Sequence, residues 1–263
     1  MPEPARGRDS LRYMLTVAIS LSLVCSLLVA STAVLLKPRQ EQNRERYRQT
    51  IILDVAGLYR PGDFDVEAAF AQIDARIVDL KTGQYVQGID ASTFDPSGTR
   101  DPAQSVSIPP EHDLGNLKRR SRYAAVYLVT QGDELEQIIL PVYGSGLWST
   151  MYGYLALEGD AKTISGLRFY EHAETPGLGD QVDSPRWLAQ WRGKKAFGPD
   201  GQPRIEVVRG TVADDGKGSS EFQVDGLSGA TLTSRAVTGL LHYWLGSDGF
   251  GPYLERLQQE ASQ

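Results

Sequence analysis

The first strong pattern along the chain is an uncharged apolar run from Tyr13 to Leu36, bracketed by Arg12 and Lys37. A helix rises about 1.5 Å per residue, so a run of this length can cross a hydrocarbon core roughly 30 Å thick. We therefore predict one transmembrane helix over residues 13–36. The alternative is a signal peptide cleaved after residues 30–33, but the run exceeds the roughly 7–15 apolar residues typical of such peptides.

Residues 37–62 are polar and then apolar, which predicts a helical stalk with opposite charges at i, i+3 spacing, as in Glu41 and Arg44. Three arginines precede the apolar run within residues 1–12, and five basic residues follow it within residues 37–48. The count of flanking positive charges therefore does not fix the orientation of the span. Residues 63–263 form the predicted globular domain.

The globular part is dominated by short alternating or β-branched runs separated by turn residues, a pattern typical of antiparallel sheets. The predicted strands are 75–80 with 84–86, the hairpin 123–130 with 135–143, then 151–157, 163–170 and 204–208. Short helices are predicted over 65–70 and from Ser184 through Trp191, and residues 89–115 read as a long surface loop. The predicted fold class is α+β, with a twisted, mostly antiparallel sheet flanked by helices.

A stretch of small residues, Asp225-Gly226-Leu227-Ser228-Gly229-Ala230-Thr231, precedes the clearest amphipathic helix of the chain. The apolar residues of that helix recur at i, i+3, i+4, i+7 and i+8, at positions 237, 240, 241, 244 and 245. Unpaired N–H groups at a helix N-terminus favour an anion, and glycines let it approach the backbone. The alternative is structural, with Ser228, Thr231 or Thr233 as an ordinary N-cap.

Charge and composition exclude several classes of function. The net charge is −6 and the longest basic run is Lys118-Arg119-Arg120, which argues against a nucleic-acid surface. One cysteine, Cys25, cannot form an intrachain disulfide, and the three histidines lack metal-site spacing. We predict no catalytic residues and no metal ligands.

Two further segments carry recognisable patterns. Residues 171–179 read Glu-His-Ala-Glu-Thr-Pro-Gly-Leu-Gly, and residues 144–153 read Gly-Ser-Gly-Leu-Trp-Ser-Thr-Met-Tyr-Gly. Together with Asp225–Thr231, these segments resemble the motifs of the FMN-binding domain family. By themselves, His172 could be an ordinary hydrogen-bonded histidine and Trp148 an ordinary core anchor.

The resemblance implies a covalently bound FMN, joined through its phosphate to the hydroxyl of Thr231. It further implies FMN contacts from two groups of residues: Ser228, Gly229 and Ala230 beside the phosphate, and His172, Glu174, Thr175, Gly177, Leu178 and Trp148 around the flavin ring. A flavin carries the electron-transfer chemistry itself, which accounts for the lack of an acid–base constellation.

Within the family, the apolar span and the three motifs resemble the single-span FMN subunits of sodium-translocating NADH:quinone oxidoreductases, and residues 146–153 and the long loop 89–115 favour this branch. The corresponding flavin subunits of the Rnf electron-transport complex are the alternative branch. The resemblance implies a single-pass protein of the bacterial inner membrane with a periplasmic domain, partner subunits that pass electrons from NADH toward ubiquinone, and a flavin transferase for maturation. An alternative of another class is a membrane-anchored binding or assembly module without flavin.

Overall fold

The structure is a computed structural model that describes residues 11–62, 64–91, 94, 104–213 and 218–260. The chain divides into two compact units, one ending at Tyr47 and the other beginning at Arg48. Helix α1 spans Leu11–Val55, and by length and composition it can cross a membrane. Its large apolar side chains between Leu11 and Leu36 are exposed, as expected of a surface that faces lipid. Most of the predicted N-terminal segment, residues 1–10, lies outside the described residues.

The second unit is built on a six-stranded antiparallel sheet with the order β2-β1-β5-β6-β7-β8. Its strands confirm the predicted hairpins and central strands, with bounds β1 Asp74–Asp79, β2 Tyr85–Val86, β5 Tyr123–Gln131, β6 Glu134–Ser145, β7 Thr150–Glu158 and β8 Ile164–Glu171. The β5–β6 hairpin closes through Gly132 and Asp133, where Gly132 takes a positive φ of 64°. Glycine suits the twisted two-residue turn that joins such strands.

Both faces of the sheet are covered, which explains why β5 is buried at six consecutive positions. One face packs against helices α4 (Thr231–Leu245) and α5 (Gly251–Glu260) and forms the larger apolar cluster. The other face packs against the last turns of α1, where Ile51, Ile52 and Leu53 are buried, and against helix α2 (Val66–Phe70). The predicted helix 65–70 is thus confirmed, with Asp65 as its N-cap.

Three local expectations had different outcomes: the first was wrong, the second was wrong in its bounds, and the third is confirmed. The surface loop 89–115 contains strand β3 (Ser105–Ser107), which pairs with β4 (Arg119–Ser121). The strand 204–208 is reduced to β9 (Glu206–Val207), paired in parallel with β10 (Gln223–Val224). The predicted helix from Ser184 through Trp191 is confirmed, as helix α3 (Pro185–Leu188) followed by a 3₁₀ turn, Ala189–Trp191. Ser184 occupies the N-cap, although its side chain makes no capping bond.

Helix α4 packs closely against β6. Its predicted apolar face is confirmed, since Val237, Leu240 and Leu241 are fully buried. Trp244 donates from Nε1 to the carbonyl of Tyr143 at 2.6 Å. A Cβ at Gly144 would lie 2.7 Å from Cβ of Leu240, so glycine there allows close helix–sheet packing.

Candidate functional site

The buried carboxylate of Glu174 joins three segments that are far apart in the sequence. Glu174 is only 5% exposed. Its Oε1 accepts the backbone N–H of Leu147 at 2.8 Å, just beyond the end of β6. Its Oε2 accepts the hydroxyl of Thr233 at 2.5 Å, in the first turn of α4. Because each oxygen of this buried side chain accepts a hydrogen bond from a different segment, Glu174 fixes the loop after β8 against both neighbours.

Two glycines make room for that arrangement. A Cβ at Gly179 would lie 2.8 Å from Oγ1 of Thr233 and 2.9 Å from Oε2 of Glu174. A Cβ at Gly146 would overlap the other oxygen of the same carboxylate. The glycines at the end of the 171–179 loop and at the start of the 146–149 turn therefore allow the Glu174 side chain to pass between segments.

His172 stabilises the same loop through two hydrogen bonds. Its Nδ1 accepts the backbone N–H of Glu174 at 3.2 Å, so in the neutral ring the proton is on Nε2, which donates to Asp183 at 2.8 Å. Both ring nitrogens are thereby engaged by the protein. His172 is thus an ordinary hydrogen-bonded histidine in this structure. Its two hydrogen bonds stabilise the conformation of the loop.

The outer part of the loop meets the other two motifs directly. Trp148 donates from Nε1 to the hydroxyl oxygen of Thr175 at 3.1 Å. A Cβ at Gly229 would lie 2.8 Å from Cδ2 of Leu178, so the turn before α4 lies against this leucine. Gly177 and Gly229 both have positive φ values, 77° and 72°, which glycine adopts readily. The structure thus brings the three sequence motifs together.

Helix α4 begins at Thr231 without the capping bond that the structural alternative required. The N-cap residue is Ala230, which has no side chain able to cap the helix. Thr233 is buried and bonded to Glu174, while Ser228 and Thr231 are exposed. The capping alternative is therefore wrong for all three residues, and the Thr231 hydroxyl stays accessible in the first turn.

The turn that leads into α4 is held rigidly from both sides. Trp187 donates from Nε1 to the carbonyl of Asp225 at 2.8 Å, and the Asp225 N–H donates to Oε1 of Gln190 at 3.0 Å. Gly226 donates to the carbonyl of Gly210 at 2.7 Å. A Cβ at Gly226 would overlap the carbonyl oxygen of Val208, so glycine is needed for this close approach of two backbone segments.

A small cavity of about 90 Å³ lies beside Thr231. Its described lining contains two arginines and no acidic residue: Val207, Val208, Arg209, Gly210, Gly226, Leu227, Thr231, Ser234 and Arg235. In a chain of net charge −6, this is a local excess of positive charge. The cavity can therefore accept an anionic group next to the Thr231 hydroxyl.

Four exposed apolar side chains belong to the segments that meet near the start of α4. Trp148 is 70% exposed, so the core-anchor alternative for this residue is wrong. Leu147, Leu178 and Leu232 are between 42% and 56% exposed and come from the three segments already joined by hydrogen bonds. Contiguous exposed apolar side chains mark binding surfaces more often than chance placement does. The surface suits a planar, largely apolar ring system.

In the described part of the chain, this region provides positive charge and exposed apolar surface. No group of three His, Cys, Asp or Glu side chains suited to a metal occurs among the described residues. Sequence reasoning missed several residues of the site: Leu147, Asp183, Arg209, Leu232, Thr233 and Arg235. The available signal was position: Leu147 lies inside the motif 144–153, and Leu232 and Thr233 directly follow Thr231.

Residues 146–246 match the FMN-binding domain, so the fold and the site define the protein as a carrier of such a domain. The NqrC subunit of the Na⁺-translocating NADH-quinone reductase of Pseudomonas aeruginosa is 45% identical over 257 residues, covering 96% of this chain and 98% of the relative. The same subunit of Vibrio anguillarum is 45% identical over 97% of this chain and 98% of the relative. The chain belongs to this NqrC family, the first of the two branches considered.

A solved structure supports the same assignment. The crystal structure of NqrC from Shewanella oneidensis superimposes with a TM-score of 0.75 and 32% sequence identity. The superposition covers 82% of this chain and 99% of the Shewanella chain. The predicted α+β fold class, with a long N-terminal apolar helix and a mostly antiparallel sheet, is confirmed.

Proposed function

We propose that this chain is the electron-carrying subunit of a Na⁺-translocating NADH:quinone reductase and holds FMN as a phosphoester of Thr231. The observation that carries the proposal is the exposed Thr231 hydroxyl, placed between a cationic cavity and an exposed apolar surface. FMN has the matching chemistry, with a phosphate at one end and a planar ring system at the other. The FMN-binding domain match supports this choice of cofactor.

The predicted site residues then divide by role. Thr231 would be the point of attachment, and Ser228, Gly229 and Ala230 form the tight turn that exposes it. Leu178 and Trp148 would contact the ring, because both are exposed, Leu178 lies against Gly229 and Trp148 is bonded to Thr175 of the same loop. Glu174, His172, Thr175 and Gly177 would position those two side chains through the loop contacts described above.

When bound, the flavin supplies the electron-transfer chemistry, and the chain contributes position and environment. In the complex, electrons would pass from NADH through partner subunits to this site and onward toward ubiquinone, with sodium export coupled elsewhere. The names of the relatives support a subunit of a redox complex. We expect no NADH, quinone or sodium site in this chain, and maturation would need a flavin transferase.

The proposed topology places residues 1–12 in the cytoplasm, residues 13–36 across the bacterial inner membrane, residues 37–62 as a stalk and residues 63–263 in the periplasm. The apolar helix Leu11–Val55 supports an anchored protein. The orientation rests on the family, because the flanking charges do not decide it. Protease digestion of intact spheroplasts checks the orientation, since a cytoplasmic domain would survive it.

The test of covalent attachment is the intact mass of the denatured chain, purified from cells that also make the flavin transferase. We expect one added FMN, mapped by peptide analysis to the peptide containing Thr231. Thr231→Ala should carry no flavin yet unfold at the temperature of the flavin-free wild-type chain, because the side chain is exposed and makes no described hydrogen bond. Thr231→Ser keeps the hydroxyl and should retain the flavin.

An unmodified wild-type chain under these conditions would favour the alternative of a membrane-anchored assembly module. Flavin retained by Thr231→Ala, at this or another residue, would contradict the proposed attachment point. The matched control is Thr233→Ser, whose hydroxyl still reaches Glu174 and whose flavin content should be unchanged.

A further inference from the structure

We propose that Arg209 and Arg235 form a phosphate-recognition site for flavin attachment to Thr231. The inference rests on the proposed function and adds to it two residues outside the sequence motifs. Both arginines line the cavity that also contains Thr231, and that cavity has no acidic residue in its described lining. They approach it from separate elements, Arg209 from the segment after β9 and Arg235 from the second turn of α4.

The positions of these side chains follow from helical geometry. Thr231, Ser234 and Arg235 stand at i, i+3 and i+4 on α4, so they share one face of the helix. That face is turned toward the segment Val207–Gly210, which completes the cavity. Arg235 is therefore on the same side of the helix as the hydroxyl that receives the phosphate.

Both guanidinium groups are available for a ligand. In the described part of the chain, neither Arg209 nor Arg235 makes an ion pair or a side-chain hydrogen bond, although other exposed arginines do, such as Arg76 and Arg119. Arginine presents several N–H donors in a planar array that matches phosphate oxygens. An unpaired guanidinium group beside the Thr231 hydroxyl is thus suited to bind the phosphate that this hydroxyl receives.

The backbone of the cavity adds donors of its own. Among the described residues, the N–H groups of Arg209 and Gly210 have no hydrogen-bond acceptor. Ser234 does not compete for an anion, because its Oγ donates to the carbonyl of Ala230 and accepts the N–H of Leu227. The two backbone N–H groups therefore remain available as donors to an anion in the cavity.

The chemistry of attachment gives these charges a role. The Thr231 oxygen bonds to the flavin-side phosphorus of FAD, the bond from that phosphorus to the bridging oxygen breaks, AMP leaves, and the hydroxyl proton passes to a base of the transferase. No oxidation state changes. Negative charge accumulates on the phosphoryl oxygens during this transfer, and one charge remains on the phosphodiester. Two guanidinium groups beside it stabilise both.

The experiment measures flavinylation of the purified, flavin-free full-length chain by the transferase with FAD, following intact mass against time. Arg209→Gln and Arg235→Gln should each slow modification about threefold, and the double variant about tenfold, the range expected for partly solvated charge pairs. Arg60→Gln is the matched control, since Arg60 is exposed and outside the cavity. Arg209→Lys and Arg235→Lys should recover part of the rate.

A second readout separates phosphate recognition from docking of the transferase. Attachment should raise the unfolding temperature of the wild-type chain more than that of the double variant, whereas the flavin-free forms should unfold alike. The inference is overturned if the double variant is modified at the wild-type rate, or if its rate falls while the gain in unfolding temperature stays the same. A wild-type chain that remains unmodified overturns the proposed function and this inference together.

Discussion

At the residue scale, the site depends on one buried carboxylate that is shared between two donors. Glu174 accepts from the backbone of Leu147 and from the hydroxyl of Thr233, and the partners lie 27 and 59 positions away along the chain. A buried acceptor that loses its donor retains its full desolvation penalty. Each partner therefore contributes more to stability than its own burial suggests.

Replacing Thr233 by Val tests this dependence. Valine keeps the shape of threonine and removes the hydroxyl, so Oε2 of Glu174 would be buried without its donor. We expect the free energy of unfolding of the full-length chain to fall by about 1–3 kcal/mol, measured by urea denaturation. Thr211→Val is the control, because Thr211 is exposed. Equal stability of the two variants would mean that the Glu174 bond does not hold the loop.

Individual residues of the site were predictable only where a motif names them. Thr231 and the loop residues His172 and Glu174 were identified from their sequence context. The donors and acceptors that hold them were not, because Asp183 and Thr233 are ordinary residues until folding brings them to His172 and Glu174. Arg209 and Arg235 lie far apart along the chain, and nothing in their spacing indicates a shared cavity.

At the scale of elements, the turn before α4 depends on a close backbone contact. Gly226 faces the carbonyl of Val208, and its own N–H donates to the carbonyl of Gly210. Any side chain at position 226 must push the segment Val207–Gly210 away. Because that segment forms one wall of the cavity, its displacement would also change the surroundings of Thr231.

Gly226→Ala should therefore destabilise the chain and impair flavin attachment together. We expect a loss of about 1–3 kcal/mol in the free energy of unfolding, the range for overpacking a site that cannot relax freely. Gly115→Ala is the matched control, since an added Cβ there would meet its nearest neighbour at 3.4 Å, an ordinary contact. Gly226→Ala with the stability of this control would contradict a rigid contact at Val208.

Helices and strands were predicted well where burial of a face imposes a regular spacing of apolar residues. The apolar spacing of α4 and the β-branched runs of β5 and β6 identified all three, because one or both faces of each are buried. Strand β3 was missed because it is short and polar, and its partner β4 lies well beyond its end in the sequence. Strands β9 and β10 have two residues each, too few to show a period.

At the scale of the whole molecule, the two faces of the sheet bury several tyrosines. Burial raises the pKa of Tyr154, Tyr170 and Tyr253 well above the usual value for a phenol, and it raises the pKa of Tyr243 to about 12. In the unfolded chain these phenols ionise near pH 10, roughly the value for an unperturbed tyrosine. The folded state therefore keeps protons that the unfolded state releases.

Stability should consequently be unaffected by these groups below about pH 10 and should fall as the pH rises above it. The sign follows because the unfolded chain binds fewer protons than the folded chain in that range. Denaturation of the full-length chain from about pH 8 to about pH 11.5, on both sides of the phenol pKa, measures the slope. Tyr253→Phe should reduce it, whereas Tyr47→Phe, at an exposed tyrosine, should not. A slope unchanged by Tyr253→Phe would contradict this account.

If FMN is attached to Thr231 as we propose, the exposure of this residue has a consequence for the order of maturation. Its neighbours are already fixed by contacts between distant parts of the sequence, such as Glu174 with Thr233 and Gly226 with Val208, while the threonine itself faces outward. The chain can therefore fold first and receive its cofactor afterwards. A modifying enzyme that recognises these folded surroundings would not modify misfolded copies. Attachment would then select correctly folded chains before the subunit enters its complex.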